Sequence, residues 1–298
     1  MKLGFIGLGN IGKHEATTLL KAGYEFTVHD IRKEAATELL KAGAKWADSP
    51  KATAQAADMV FTSLPGPREV EEVALGENGI LAGAQRGNIY IDLSTNAPST
   101  VKKIAENANK IGVHVLDAPV TGGPEGAATG TLSIMVGGDR ETFEKSKEVL
   151  SVMGKTVIHM GENVGDGCAT KLINNMLGEI SMYAIADAMV LGARAGLDIN
   201  KLYKLISSGL NAPGILTKKY MGYGFKGNFE PGFTMDLAHK DQVLAIEMGR
   251  ELGMPLPLAN VALQRIIDAR VRGYGNKDVT AALLPLEDLY NVKIRIDA

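Results

Sequence analysis

Lys2-Leu3-Gly4-Phe5-Ile6-Gly7-Leu8-Gly9-Asn10-Ile11-Gly12 opens the chain and decides its fold. The apolar run before Gly7 is too short for a helix and leads into Gly-x-Gly-x-x-Gly. A helical spacing of Ala16, Leu19, Leu20 and Ala22 follows and stops at Gly23. Strand, glycine turn and helix in that order are the signature of dinucleotide binding. Gly7 permits the tight turn, Gly9 lets a pyrophosphate approach the backbone, and Gly12 lets the helix pack on the strand. Leu8, Asn10 and Ile11 complete the turn, whose N–H groups stand at the positive end of the helix, a ready anion site.

Outward from this unit the strand and helix signals alternate. Glu25–His29 reads as a strand, 33–42 as a helix closed by Gly43, and Ser49-Pro50 as a helix start with an N-cap serine and Pro at the first helical position. Further strands are expected over 58–64, 89–93, 113–117 and 132–136. Repeated strand–helix units with near-continuous apolar strands imply a mostly parallel sheet covered on both faces. Near Gly161 the character changes. A long helical pattern runs from about Ala169 to Ala195, followed by helical segments around 200–208, 236–252, 258–272 and 277–290. The expected architecture is therefore α/β. A doubly wound Rossmann domain over residues 1–163 precedes an all-helical domain over 164–298, with the long helix joining them. The active site is expected between the domains, at the carboxyl ends of the strands.

Asp30 ends the second expected strand, where a carboxylate accepts hydrogen bonds from adenosine ribose hydroxyls and repels a 2′-phosphate. That favours NAD. The same residue suits a turn or helix cap, and Arg32 two positions on suits a phosphate, so NADP stays open.

Composition narrows the partners. The 298 residues carry a formal net charge of −2, with 45% hydrophobic and 22% charged residues. No basic block argues for nucleic acid. Cys168 is the only cysteine, which excludes intramolecular disulfides and suits a reducing compartment. The chain enters a strand directly after Met1-Lys2, so no signal peptide is expected. No apolar stretch reaches the ~20 residues that span a bilayer. A cytoplasmic protein is expected. Five scattered histidines have no metal-ligand spacing, so no metal is expected.

Two further segments carry chemistry. Asp117-Ala118-Pro119-Val120-Thr121-Gly122-Gly123-Pro124 ends a strand in a turn that can aim the Thr121 hydroxyl and consecutive N–H groups at a carboxylate, although an ordinary loop reads the same way. In Gly165-Asp166-Gly167-Cys168-Ala169-Thr170-Lys171-Leu172-Ile173-Asn174-Asn175 the glycines free a helix start, and Lys171 and Asn175 share one face at i and i+4. A lysine among apolar neighbours near a helix start is suited to proton transfer; alone it also reads as a solvated helix lysine.

In this order the segments resemble the β-hydroxyacid dehydrogenase family over nearly the full length. The matching positions are Gly7-Leu8-Gly9 with Gly12, Leu64-Pro65, Asp92-Leu93-Ser94-Thr95, Asp117 to Gly123, Gly165-x-Gly167-x-x-x-Lys171-x-x-x-Asn175, and Asp236-Leu237-x-x-Lys240-Asp241. The resemblance implies hydride transfer between NAD(P) and a small 3-hydroxy carboxylic acid. The glycine turn, Leu64, Pro65 and Thr95 would contact the dinucleotide, and Lys240 its nicotinamide end. Thr121, Gly122 and Gly123 would hold the substrate carboxylate, Asn174, Asn175, Phe233 and Asp236 would lie near the substrate, and Lys171 would be the acid/base. A homodimer or homotetramer is implied as well. The chain departs from the family at Ile11 and Glu15, where methionine is usual, and at Thr121, where serine is usual. Gly123 stands where relatives acting on a sulfonated aldehyde carry arginine, which favours a carboxylate substrate. The segment 207–214 is expected to set specificity. Rival readings are an imine reductase, which usually lacks the lysine, a 6-phosphogluconate-type dehydrogenase, and a silent NAD-binding scaffold.

Overall fold

The computed structural model describes residues 1–209 and 214–297. Two compact units emerge, Met1–Lys171 and Leu172–Ala298, and their division falls inside one long helix.

In the first unit the strands are β1 (Lys2–Ile6), β2 (Glu25–His29), β3 (Lys45–Trp46), β4 (Met59–Thr62), β5 (Ile89–Asp92), β6 (His114–Asp117), β7 (Val120–Thr121), β8 (Leu132–Gly137) and β9 (Gly154–Gly161). They form one sheet in the order β3-β2-β1-β4-β5-β6-β8-β7, with β9 on β8. Strands β1 to β6 pair in parallel, β8 runs antiparallel to β6 and β7, and β9 is parallel to β8. The helices are α1 (Gly12–Lys21), α2 (Thr37–Lys41), α3 (Pro50–Gln55), α4 (Pro67–Leu75), α5 (Ile80–Gly83), α6 (Pro98–Asn109), α7 (Gly123–Thr129) and α8 (Arg140–Met153).

The period of two along each strand splits the core between the two faces. Leu3 and Phe5 of β1, Met59 and Phe61 of β4 and Ile91 of β5 join Ala16 and Leu19 of α1 and Phe143 and Leu150 of α8. Their alternates Ile6, Val60 and Tyr90 join Val70 of α4 and Ile104 and Ala108 of α6. Each such large side chain contributes about 1.5–3 kcal/mol by leaving water. This is the doubly wound arrangement expected, and its order reverses at β1 and β4. There the two neighbouring strands send their connections to opposite faces, which opens a crevice at their carboxyl ends.

Three strands were not expected. β3 and β7 are two residues long, and β9 beyond its buried Gly154 has only half-buried and exposed positions, so none shows an apolar run. The helix expected over 33–42 begins as a 3₁₀ turn at Lys33–Ala36 before α2.

In the second unit α9 (Asp166–Arg194) continues through α10 (Ile199–Ser207), α11 (Met235–Glu251), α12 (Pro257–Ala269) and α13 (Leu284–Tyr290). No strand occurs among its described residues. Met182, Ala186 and Met189 of α9, Met235 of α11, Ile266 of α12 and Leu283 share its core. The expectation that no segment is long and apolar enough to cross a bilayer is corrected by α9, which is so by length and composition. Part of its apolar surface serves that core, where Ala186 and Met189 are fully buried, while Leu177 and Leu191 are exposed.

Candidate active site

The crevice at β1 and β4 is shaped by backbone. Gly7 has φ +94°, and a Cβ on it would stand 2.4 Å from the Ser63 carbonyl oxygen. A Cβ on Gly12 would stand 2.1 Å from the Gly7 carbonyl oxygen. Both positions therefore admit only glycine, and α1 starts hard against the turn. A Cβ on Gly9 meets nothing within 4 Å, which leaves the face of the turn open to a phosphate. Ile11 occupies the N-cap of α1 without a side-chain cap, as suits a helix end offered to an anion.

Asp30 is fastened to this turn. Its Oδ2 accepts the Leu8 N–H at 2.7 Å and its Oδ1 the Arg32 N–H at 2.8 Å. The turn reading of Asp30 is thus realised, and the same carboxylate stands beside the glycines. The Arg32 side chain is 71% exposed, with Nε 4.0 Å from Asp30 Oδ1. On the other side of the crevice, buried Asp92 at the end of β5 accepts from the Thr62 hydroxyl at 2.8 Å, the Ser94 N–H at 3.1 Å and the Asn96 amide at 3.0 Å. Ser94 Oγ in turn accepts the Leu64 N–H at 2.9 Å. One carboxylate thereby orders the turns carrying Leu64, Pro65 and Thr95. Burial raises its pKa above the usual carboxylate range against these hydrogen bonds. Turn, helix end, adjoining carboxylate and opposing loop fit a dinucleotide.

Asp117 is the residue whose role the sequence did not disclose. At the end of β6 and buried, it accepts the Gly165 N–H on Oδ1 and the Cys168 N–H on Oδ2, both at 2.6 Å. It thus caps α9 from 48 residues away in sequence. The same residue roots the loop to Thr121, Gly122 and Gly123. A Cβ on Gly167 would stand 2.3 Å from the Met135 carbonyl oxygen, so this glycine serves close approach of the helix start to the sheet, beyond the freedom expected of it. The repeated Gly-x-Gly at 165–167 was the available signal. Lys171 follows in the second turn of α9 and is 8% exposed, so the solvated-lysine reading is set aside.

In the helical unit Asn175 Nδ2 donates to Asp241 Oδ2 at 2.7 Å, and Lys240 Nζ stands 2.9 Å from Asp241 Oδ1. Asn174 Nδ2 donates to Asn175 Oδ1 at 3.2 Å. Asp241, 2% exposed, therefore gathers three of the expected site residues, a task its place beside Lys240 hinted at without specifying. Phe233 precedes α11 and is held by its N–H on Asp278 Oδ2 at 3.1 Å. Asp236, in the first turn of α11, is half exposed and pairs with Arg270 Nε at 2.6 Å. Of the expected specificity segment 207–214, Leu210, Asn211, Ala212 and Pro213 lie outside the described residues.

Known proteins resemble the chain along nearly its whole length. The NAD binding domain of 6-phosphogluconate dehydrogenase matches residues 2–161, and the NAD-binding domain of NADP-dependent 3-hydroxyisobutyrate dehydrogenase matches 165–286. The 2-(hydroxymethyl)glutarate dehydrogenase of Eubacterium barkeri is 37% identical over 99% of this chain and 97% of its own. The 3-hydroxyisobutyrate dehydrogenase of Pseudomonas aeruginosa is 38% identical over 87% of this chain and 89% of its own. The solved 3-hydroxyisobutyrate dehydrogenase of Mycobacterium tuberculosis with L-serine superposes with a TM-score of 0.87, at 30% identity over 96% of this chain and 98% of that one.

Proposed function

The chain belongs to the β-hydroxyacid dehydrogenase family and is an NAD(P)-dependent hydroxyacid dehydrogenase; from that membership we propose that it interconverts a 3-hydroxy carboxylic acid and its semialdehyde, with Lys171 as general acid/base. The observation that carries this reading is buried Lys171 on a helix start that Asp117 fastens to the root of the Thr121–Gly123 loop. Bound NAD(P) supplies the group that accepts or returns the hydride. In oxidation, neutral Lys171 takes the substrate hydroxyl proton. In reduction, its ammonium donates that proton and stabilises the forming alkoxide.

The remaining residues position the substrate. The Thr121 hydroxyl and the N–H groups of Gly122 and Gly123 hold the substrate carboxylate. A Cβ on Gly123 meets nothing within 4 Å, which supports a pocket open at that point. Asn175 is oriented at both ends of its amide, by Asp241 and Asn174, and holds the substrate with Asn174, Phe233 and Asp236. Gly7 to Gly12, Asp30, Leu64, Pro65, Thr95 and Lys240 hold the cofactor. NAD is favoured because the fixed Asp30 carboxylate repels a 2′-phosphate, whereas exposed Arg32 favours NADP as the second reading. The enzyme is read as a cytoplasmic homodimer or homotetramer. The single cysteine and the exposed Leu177, Leu191 and Leu205 support these readings.

The test is absorbance at the NADH band with NAD or NADP and a panel of 3-hydroxy acids, including 3-hydroxyisobutyrate, 2-(hydroxymethyl)glutarate and serine. Turnover with at least one acid, faster with NAD, is expected. A protein that binds NADH but turns over no acid or semialdehyde would overturn the reading. A second outcome concerns Asp241. Asp241→Ala removes the charged acceptor of a partly buried hydrogen bond, a loss of about 2 kcal/mol. If that loss is felt in the transition state, kcat/KM falls roughly 30-fold. Steady-state kinetics with an unchanged kcat/KM would remove Asp241 from the positioning of Asn175.

A further inference from the structure

Beneath the glycine turn lies a carboxyl that the proposed chemistry does not use. Glu15 sits in α1 one turn in from Gly12, on the face shared with Gly12, Ala16 and Leu19, and is fully buried. Helical side chains lean toward the helix N-terminus, here toward the turn. Neither carboxyl oxygen reaches hydrogen-bond geometry with a partner among the described residues. The polar group facing it is the hydroxyl of Ser63, the residue whose carbonyl oxygen closes on Gly7 and whose Cβ would lie 3.1 Å from a Cβ on Gly12. The carboxyl therefore shares its wall with the seat of the pyrophosphate.

We propose that Glu15 makes dinucleotide binding proton-linked: the protein takes up a proton at this carboxyl when NAD(P) occupies the glycine turn, so affinity falls as pH rises. A pyrophosphate brings two negative charges to the turn, and with the Ser63 hydroxyl as the facing polar group an ionised Glu15 is poorly screened from them. The surroundings push the same way. Burial holds the carboxyl up at about 7, buried Asp92 on β5 adds to the rise, and the Ser63 hydroxyl opposes it. Helices α7, α8 and α2, which pack on α1, carry their charged side chains, from Glu125 of α7 to Glu38 and Lys41 of α2, in exposed positions. The other ionisable groups nearby are Lys13 and His14, which precede it on α1, Asp30 just after β2, and His29 at the end of β2. With the apo carboxyl ionising near neutral pH, even a modest rise on binding spans the physiological range.

Two measurements test this. Calorimetry of NADH binding at pH 7.5, in buffers of different ionisation enthalpy, should show net uptake of about half a proton, the difference between a carboxyl at about 7 and one raised by about one unit. Fluorescence titration should show the NADH Kd of the wild type rising about sevenfold from pH 6 to pH 8.5, as one proton linked through a one-unit rise from about 7 gives. Glu15→Gln keeps the shape without the proton and should be flat within about twofold, and Glu15→Met should behave alike. No proton uptake by the wild type overturns the proposal. So does a pH slope that survives in both variants.

Discussion

Lys171→Ala is expected to lower kcat by 10²–10⁴-fold, the usual worth of a positioned general acid or base, while the NADH Kd stays close to that of the wild type. The side chain is 8% exposed, and the turn that carries it is pinned by Asp117 through the Gly165 and Cys168 N–H groups. Its loss removes a proton acceptor and leaves the glycine turn, Asp30 and the Asp92 network intact. The effect should therefore separate chemistry from cofactor binding. Lys171→Arg should not rescue, because a guanidinium stays protonated and cannot accept the hydroxyl proton. Stopped-flow measurement of a single turnover, alongside NADH fluorescence titration, makes the distinction. A wild-type rate in the alanine variant would remove Lys171 from the mechanism.

The second large effect is on stability. Glu15 is expected to ionise at about 7 in the folded protein against 4.5 ordinarily, because burial disfavours its charged form. A carboxyl whose folded pKa is raised binds more protons in the native state. Its penalty is therefore absent below pH 4.5, grows between 4.5 and about 7, and is complete above that. The shift corresponds to about 3 kcal/mol at pH 8.5. Glu15→Gln should thus stabilise the apo protein by roughly that amount at pH 8.5, and by under about 1 kcal/mol at pH 5. The thermal midpoint of the first unit should rise by roughly 6–10 °C at the higher pH. Denaturation of both proteins at the two pH values checks the sign as well as the size. A gain equal at both pH values would be packing alone, and no gain at pH 8.5 would mean the carboxyl is not held dry. Glu15→Met, which adds apolar contact, should match or exceed the amide.

Much of the site could be read before folding because its devices are local. The glycine turn depends on steric contacts among Gly7, Gly12 and Ser63 that follow from strand, turn and helix in sequence. Asp30 likewise acts on Leu8 and Arg32, its neighbours in the first strand–helix–strand unit. Even Glu15 left a trace, since Gly12, Glu15, Ala16 and Leu19 fall at i, i+3, i+4 and i+7 and mark it for burial. The edge strands were silent because β3 and β7 are two residues long and β9 is half exposed, so their pairing is decided by the sheet they join.

What the sequence alone determined was the doubly wound unit, the helical unit after it, and the residue types offered to a dinucleotide and a hydroxy acid. Backbone sterics and the periods of 2 and 3.6 act between near neighbours, so they survive in a linear reading. The tertiary structure decided which carboxylates hold the candidate site residues. Asp117 reaches 48 residues to cap the helix of Lys171, and Asp241 reaches 66 to fix Asn175. Glu15 becomes a proton-binding group only once sheet and helices have stripped it of water. Orientation and ionisation depend on partners and desolvation that chain folding supplies, and no local pattern carries them.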